Sequence, residues 1–246
     1  MKKILVVVDM QNDFITGPLG TPEAVSIVDN VVEKIRGEEW NKIYVTMDIH
    51  DKSYLLTTEG MKLPVKHCIA GTSGCELNDK IFEVLNDYDY TELCKETFSF
   101  PEWTSYIHHD LHYGLRYIRG EDIELTLVGV CTDICMISNA LLLKAHYPEM
   151  KIVVDASCCA GSTPEKHRMA LEVMKSCQVD VVNDESEHDC LIITNFAEKM
   201  ANPGYIMSSK EIREALAIAE EHPESTPAYL KIMHNEPYNT HLESEG

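Results

Sequence analysis

Short apolar runs alternate along this chain with longer stretches whose apolar residues recur every third or fourth position. Residues 4–8, 43–47, 90–94, 125–130, 152–155 and 179–182 form the first set. Brief runs dominated by Val, Ile and Leu predict buried strands. Residues 22–36, 76–85, 103–116, 133–146 and 164–177 form the second set and have helical length and spacing. Strand and helix in regular alternation predict an α/β fold, with a six-stranded parallel sheet covered by helices on both faces in a Rossmann-like three-layer arrangement. Thr163-Pro164-Glu165 marks a helix start, with threonine as cap and proline at the first helical position.

The pattern changes after about Asp184. Residues 189–200, 208–221 and 227–234 look helical, separated by Asn202-Pro203-Gly204 and Pro223, and Ser208 to Glu211 resembles a capping box. A core domain over 1–184 and a helical C-terminal extension over 185–246 are expected.

Composition narrows the setting. No apolar run approaches the roughly 18 residues that span a bilayer. The apolar segment that opens the chain is too short for a signal-peptide core. Nine cysteines, an odd number, point to a reducing compartment, so a cytoplasmic location is expected. Acidic residues number 41 against 21 basic ones, for a formal charge of −20. Such a surface repels phosphate, which excludes nucleic acid and anionic membrane as favoured partners.

In an open parallel sheet, ligands bind beyond the carboxyl ends of the strands, near the point where strand order reverses. The chemistry-bearing residues of this chain follow its strands at those ends. Cys135 falls in the first turn of the helix expected over 133–146, in the run Gly129-Val130-Cys131-Thr132-Asp133-Ile134-Cys135-Met136. Thr132 or Asp133 can cap that helix, and its dipole favours a thiolate over a thiol. Most cysteines are inert core residues, so Cys135 needs a base and a cation before it can act as a nucleophile. Asp9, directly after 4–8, can accept a proton, and Lys95 ends the third strand. Asp13 fits a solvated or turn-capping acid. Asp48-Ile49-His50 ends the second strand, and residues two apart on a strand share a face, so carboxylate and imidazole can converge on one metal. His67 follows in Val65-Lys66-His67-Cys68. His108 and His112 have ligand-like spacing without a third partner, and Cys158-Cys159 suit core packing.

The segments Asp9-Met10-Gln11-Asn12-Asp13-Phe14, Asp48-Ile49-His50, His67-Cys68-Ile69-Ala70-Gly71-Thr72-Ser73-Gly74, Lys95-Glu96-Thr97-Phe98-Ser99 and Gly129 to Cys135 together resemble the isochorismatase-like cysteine hydrolases. Within these, they are most similar to the nicotinamidases, also called pyrazinamidases. The resemblance covers roughly residues 1–184. It implies the isochorismatase-like form of the fold, an Asp-Lys-Cys triad at Asp9, Lys95 and Cys135, and a cis peptide between Val130 and Cys131. It implies metal ligation by Asp48, His50 and His67, a motif that isochorismatase proper lacks, with Glu59 of the intervening loop as the fourth ligand. One oxygen and two nitrogen donors with open positions suit Zn²⁺ first, then Fe²⁺ or Mn²⁺. Many relatives carry an aromatic residue where Pro64 stands here. Phe14, Phe98, Phe100 or Trp103 then supplies the ring that stacks on substrate, with Phe14 and Trp103 the first choices. The extension departs from the family pattern and is a candidate subunit interface or cover over the site; a homo-oligomer is expected.

The implied activity is metal-dependent hydrolysis of nicotinamide to nicotinate and ammonia through a cysteine thioester, serving NAD salvage. Asp9 takes the thiol proton, Lys95 stabilises the thiolate, and the backbone N–H groups of Cys131 and Cys135 hold the oxyanion. Two other readings remain. One is a related amidase acting on another small carboxamide or an N-carbamoyl compound. The other is an inactive relative serving as an interaction module through its extension, against which the intact triad argues.

Overall fold

Strand β1 (Lys2–Val8) shows how the sheet is built. Ile4, Val6 and Val8 enter one core while Leu5 and Val7 enter the other, so successive residues are buried on opposite faces. A strand covered on both sides is apolar throughout instead of at alternate positions. The computed structural model describes residues 1–110, 123–184, 208, 210, 212, 213 and 217.

After β1 come the short helices α1 (Asn12–Ile15) and α2 (Pro22–Ser26), then α3 (Val28–Gly37) and β2 (Lys42–Asp48). The single helix expected over 22–36 is interrupted at Ile27, where the Ser26 hydroxyl donates back to the Glu23 carbonyl at 2.8 Å. Next follow α4 (Thr58–Lys62), α5 (Asp79–Leu85), β3 (Tyr90–Lys95) and α6 (Trp103–His109). Helix α5 starts later than residue 76 because Asn78 caps it, accepting from the Lys80 N–H, while Leu77 bridges to Gln11. The described second half contains β4 (Ile123–Val130), α7 (Ile137–His146), β5 (Lys151–Ala160), α8 (Pro164–Ser176) and β6 (Asp180–Val182). Thr163 caps α8 with Pro164 in its first turn.

All pairings are parallel and the strand order is β3-β2-β1-β4-β5-β6. Helices α6, α7 and α8 bury Trp103, Ile107, Leu143, Leu171 and Met174 against one face. Helices α3 and α5 bury Val31, Ile35, Ile81 and Leu85 against the other. The chain leaves β1 toward β2 and β3, then returns to the far side of β1 as β4. Strand order therefore reverses between β1 and β4, and their carboxyl ends lie side by side.

Two local features shape that point. Gly129 has φ +121°, and a Cβ there would lie 2.1 Å from the Val8 carbonyl oxygen, so only glycine lets β4 approach β1 this closely. The β4–β5 register then slips, with Leu127 facing Val154 but Gly129 facing Cys159. That bulge extends β5 to Ala160, beyond the expected 152–155, and places Cys158 and Cys159 in the two cores.

The chain divides into two units, Met1–Asn183 and Asp184–Gly246. In the second, Lys210, Ile212, Arg213 and Ala217 are helical, and the Ser208 carbonyl accepts the Ile212 N–H at 3.2 Å. The helices expected over 189–200 and 227–234 lie outside the described residues, as do His112 and the end of 103–116. Among the described residues, no helix is long and apolar enough to cross a membrane.

Candidate active site

Asp9 is the first residue beyond β1 and is fully buried, with φ +51°. Its Oδ1 accepts from the Thr46 hydroxyl at 2.6 Å, and its Oδ2 lies 2.7 Å from Lys95 Nζ. Lys95 closes β3, two strands away, and its ammonium also lies 3.5 Å from Asp48 Oδ1 and 3.7 Å from Cys135 Sγ. Burial opposes the charge on Lys95, but the surrounding Asp9, Cys135 and Asp48 override it and raise its pKa. The ammonium therefore persists without contact with bulk water. Burial also raises the Asp9 pKa against the pull of Lys95, which makes this carboxylate a better proton acceptor than an exposed one.

Cys135 does not sit in a regular first turn. Thr132–Met136 is a single π turn, in which the Cys131 carbonyl accepts the N–H groups of Ile134 and Met136 at 3.0 Å each, the residues on either side of Cys135. Neither Thr132 nor Asp133 caps it. The Thr132 hydroxyl bonds His167 Nδ1 at 2.7 Å. The Asp133 carboxylate accepts the backbone N–H and the hydroxyl of Ser162, both at 2.7 Å. These bonds anchor the turn to α8 and the segment leading into it, because tertiary partners hold both side chains away from the turn's own N–H groups. The Val130–Cys131 peptide is cis.

The dipole of a regular helix start is not what governs the Cys135 thiol. Its sulfur is nearly inaccessible, and burial pushes the thiol well above its ordinary range, with Asp9 adding to the effect and Lys95 opposing it. The Cys135 and Asp9 shifts both favour the protonated form, and the Asp9 carboxyl stands beside the thiol with Lys95 in contact with both.

A second cluster adjoins the first. Asp48 Oδ2 lies 2.9 Å from His50 Nε2 and 3.4 Å from His67 Nε2, and ligand atoms of these three buried residues fall within 4.8 Å of one another. Glu59 Oε1 approaches both imidazoles, at 3.8 Å from each Nε2. His67 Nδ1 lies 2.8 Å from the Val65 carbonyl, which only accepts, so Nδ1 carries the proton and Nε2 presents a lone pair. His50 Nε2 is buried without a hydrogen-bond partner. A buried, unsatisfied imidazole nitrogen facing a carboxylate and a second imidazole fits a divalent metal. Burial raises the Asp48 pKa, yet the adjacent His50 and His67 imidazoles and the Lys95 charge hold its carboxyl below the usual range. Asp48 thus serves both clusters, one oxygen toward each.

Several supporting residues escape sequence reasoning. Gln11 is fully buried; its Oε1 accepts the Asp48 N–H at 2.8 Å, and its Nε2 donates to the carbonyls of Asp48 and Cys75 at 2.7 and 2.8 Å. Asp13 is not a solvated acid, because its Oδ2 accepts the Cys68 N–H at 2.8 Å and so holds the loop of His67. Both lie in the segment after β1, but nothing local marks their partners 37 to 64 residues away. Phe14 is placed beside the metal cluster, its ring 5.5 Å from that of His67. Trp103 is not available for stacking. It has no exposed surface, packs edge-on against Tyr44 and Phe100, and donates its indole N–H to Asn139 at 2.8 Å. Of the other aromatic candidates, Phe100 is buried and Phe98 exposed.

Comparison with known proteins places this geometry. The nicotinamidase/pyrazinamidase PncA of Bacillus subtilis shares the fold with a TM-score of 0.60 at 27% identity, over 74% of this chain and 99% of that one. The pyrazinamidase of Pyrococcus horikoshii, solved in complex with zinc, gives 0.56 at 28% identity, over 75% and 100%. A probable inactive nicotinamidase of Arabidopsis thaliana is 30% identical over 189 residues, or 70% of this chain and 87% of that protein. The isochorismatase domain matches residues 3–186, which takes in both clusters and the described strands from Lys3 onward. The chain belongs to the isochorismatase family.

Proposed function

We propose that this protein hydrolyses nicotinamide to nicotinate and ammonia (the nicotinamidase reaction, EC 3.5.1.19) through a covalent cysteine intermediate, in NAD salvage. The observation that carries the reading is the contact of Lys95 Nζ with both Asp9 Oδ2, at 2.7 Å, and Cys135 Sγ, at 3.7 Å, next to a donor set for a divalent metal.

Asp9 removes the thiol proton as sulfur attacks the carboxamide carbon, and the buried Lys95 ammonium offsets the developing charge. The oxyanion lies toward the backbone N–H groups of Cys131 and Cys135, each such donor being worth about 3 kcal/mol. Asp9 then protonates the departing ammonia and leaves a thioester. Acting again as base, it activates the water that releases the acid and restores the thiol. Asp48, His50 and His67, with Glu59 beside them, would hold the metal, Zn²⁺ first and Fe²⁺ or Mn²⁺ next. When bound, it supplies a Lewis-acid site for the pyridine nitrogen and so orients the ring. Phe14, beside His67, is the aromatic wall for that ring. The reading extends to a homo-oligomer in the reducing cytoplasm; the eight described cysteines are all free.

The test is ammonia release from nicotinamide, pyrazinamide and an N-carbamoyl amine. Turnover by the first two that disappears in Cys135→Ala supports the reading. Preference for the carbamoyl compound would make the chain a related amidase. No release from any of the three, at full metal loading, would favour the inactive reading that the Arabidopsis relative brings forward.

A further inference from the structure

We propose that Asn139 is a positioning residue that sets the separation of Lys95 and Cys135 by tying the nucleophile's turn to the loop that follows Lys95. The inference rests on Cys135 being the nucleophile. Asn139 lies in α7, one turn beyond Cys135, and has no exposed surface. Its Nδ2 donates to the Cys135 carbonyl at 2.8 Å and to the Phe98 carbonyl at 3.3 Å. Its Oδ1 accepts from Trp103 Nε1 at 2.8 Å, the Phe100 N–H at 3.0 Å and the Ser99 hydroxyl at 3.2 Å.

The amide orientation is unambiguous. An indole and a backbone N–H only donate, so the group facing them is the oxygen; two carbonyls only accept, so the group facing them is the nitrogen. One side chain therefore bonds the backbone of the nucleophile and spans Phe98 to Trp103, the segment that begins three residues after Lys95. Lys95 and Cys135 come from strands separated by β2 and β1. Their side chains meet at 3.7 Å, and Asn139 is the bonded link between the loops beyond those strands. Apolar packing resists sliding weakly, whereas five hydrogen bonds on one rigid amide fix register and direction.

The test compares Asn139→Asp and Asn139→Leu with the unmodified protein. Asp keeps the shape and the three acceptor contacts but turns an anionic oxygen toward two carbonyls; Leu removes both sets of bonds. Three quantities are read at equal folded fraction: kcat, KM and the rate of Cys135 alkylation by iodoacetamide, with the exposed Cys177 as internal reference. Displacing a reacting group by about 1 Å costs on the order of a hundredfold. The expectation is a fall in kcat of tenfold or more, KM within threefold, and alkylation slowed by a similar factor. If Asn139→Leu does not fold, Asn139→Asp decides alone. A lower Tm with unaltered kcat and alkylation, a rise in KM alone, or a fall in kcat with normal alkylation overturns the proposal. Failure of the nucleophile assignment appears separately, as ammonia release by Cys135→Ala.

Discussion

Thr46→Val removes one hydroxyl and tests whether Asp9 is the base. The Thr46 hydroxyl donates to Asp9 Oδ1 at 2.6 Å inside a fully buried site, and valine retains the shape without the donor. A hydrogen bond to a charged group is worth about 1.5–3 kcal/mol. That bond favours the ionised form of Asp9, so its loss raises the Asp9 pKa further above the ordinary carboxylate value. At 1.36 kcal/mol for each pH unit, the acid limb of kcat/KM moves upward by about one to two pH units. The alkaline plateau stays within a few-fold of the original, because Asp9 and Cys135 are both retained.

The same energy is visible in stability. At neutral pH the variant loses about 2 kcal/mol, or about 4–8 °C in Tm for a chain of this size. The bond acts at full strength only on the carboxylate. As pH falls through the folded pKa of Asp9, the group protonates in both proteins and the deficit shrinks toward the roughly 1 kcal/mol of a neutral bond. The assays are a pH–rate profile and urea unfolding at neutral and acidic pH. An acid limb that stays in place, or moves downward, while the variant folds normally would refute Asp9 as the titrating base.

Two further perturbations probe the charges around it. Lys95→Met leaves Asp9 buried without its cation, which costs about 3–5 kcal/mol and lowers Tm by roughly 10 °C, as calorimetry will show. The same variant should lower kcat by a hundred- to a thousandfold, and retained turnover would remove Lys95 from the chemistry. His50→Ala and His67→Ala each delete one of two imidazole donors. After equilibration with Zn²⁺ and desalting, metal content read by atomic absorption should fall from about one ion per chain to below about a tenth. Full loading in either variant would show that the metal binds elsewhere.

Legibility differed by feature, for physical reasons. The central strands β1, β2, β4 and β5 were visible because a strand buried on both faces must be apolar at consecutive positions, whereas the edge strands β3 and β6 are only partly buried and show as short apolar runs between helices. Asp9, Asp48 with His50, and Lys95 were visible because each ends a strand or follows one directly, and the carboxyl ends of a parallel sheet share one edge. The interruption at Ile27 spans a single residue, too small a signal for periodicity to carry. The end of β5 follows from a register slip against β4, which is a property of two strands and of neither alone. Asn139 and Trp103 illustrate the limit at the site. An aromatic residue near a motif suits substrate stacking as well as core packing. Trp103 is instead fully buried against Tyr44 and Phe100 and hydrogen-bonded to Asn139, 36 residues away.

The sequence by itself determined the order of strands and helices and which acid, base, thiol and imidazoles stand at the strand ends, because these are written in local periodicity and residue type. Tertiary structure decided their chemistry. Burial, which no local pattern measures, raises the pKa of both Cys135 and Asp9, and strand order brings Lys95 between them. Close packing of β4 on β1 depends on Gly129, and the orientation of Asp48 depends on Gln11. Charge state and alignment at a site follow from desolvation and from partners distant in sequence, and those exist only once the chain is folded.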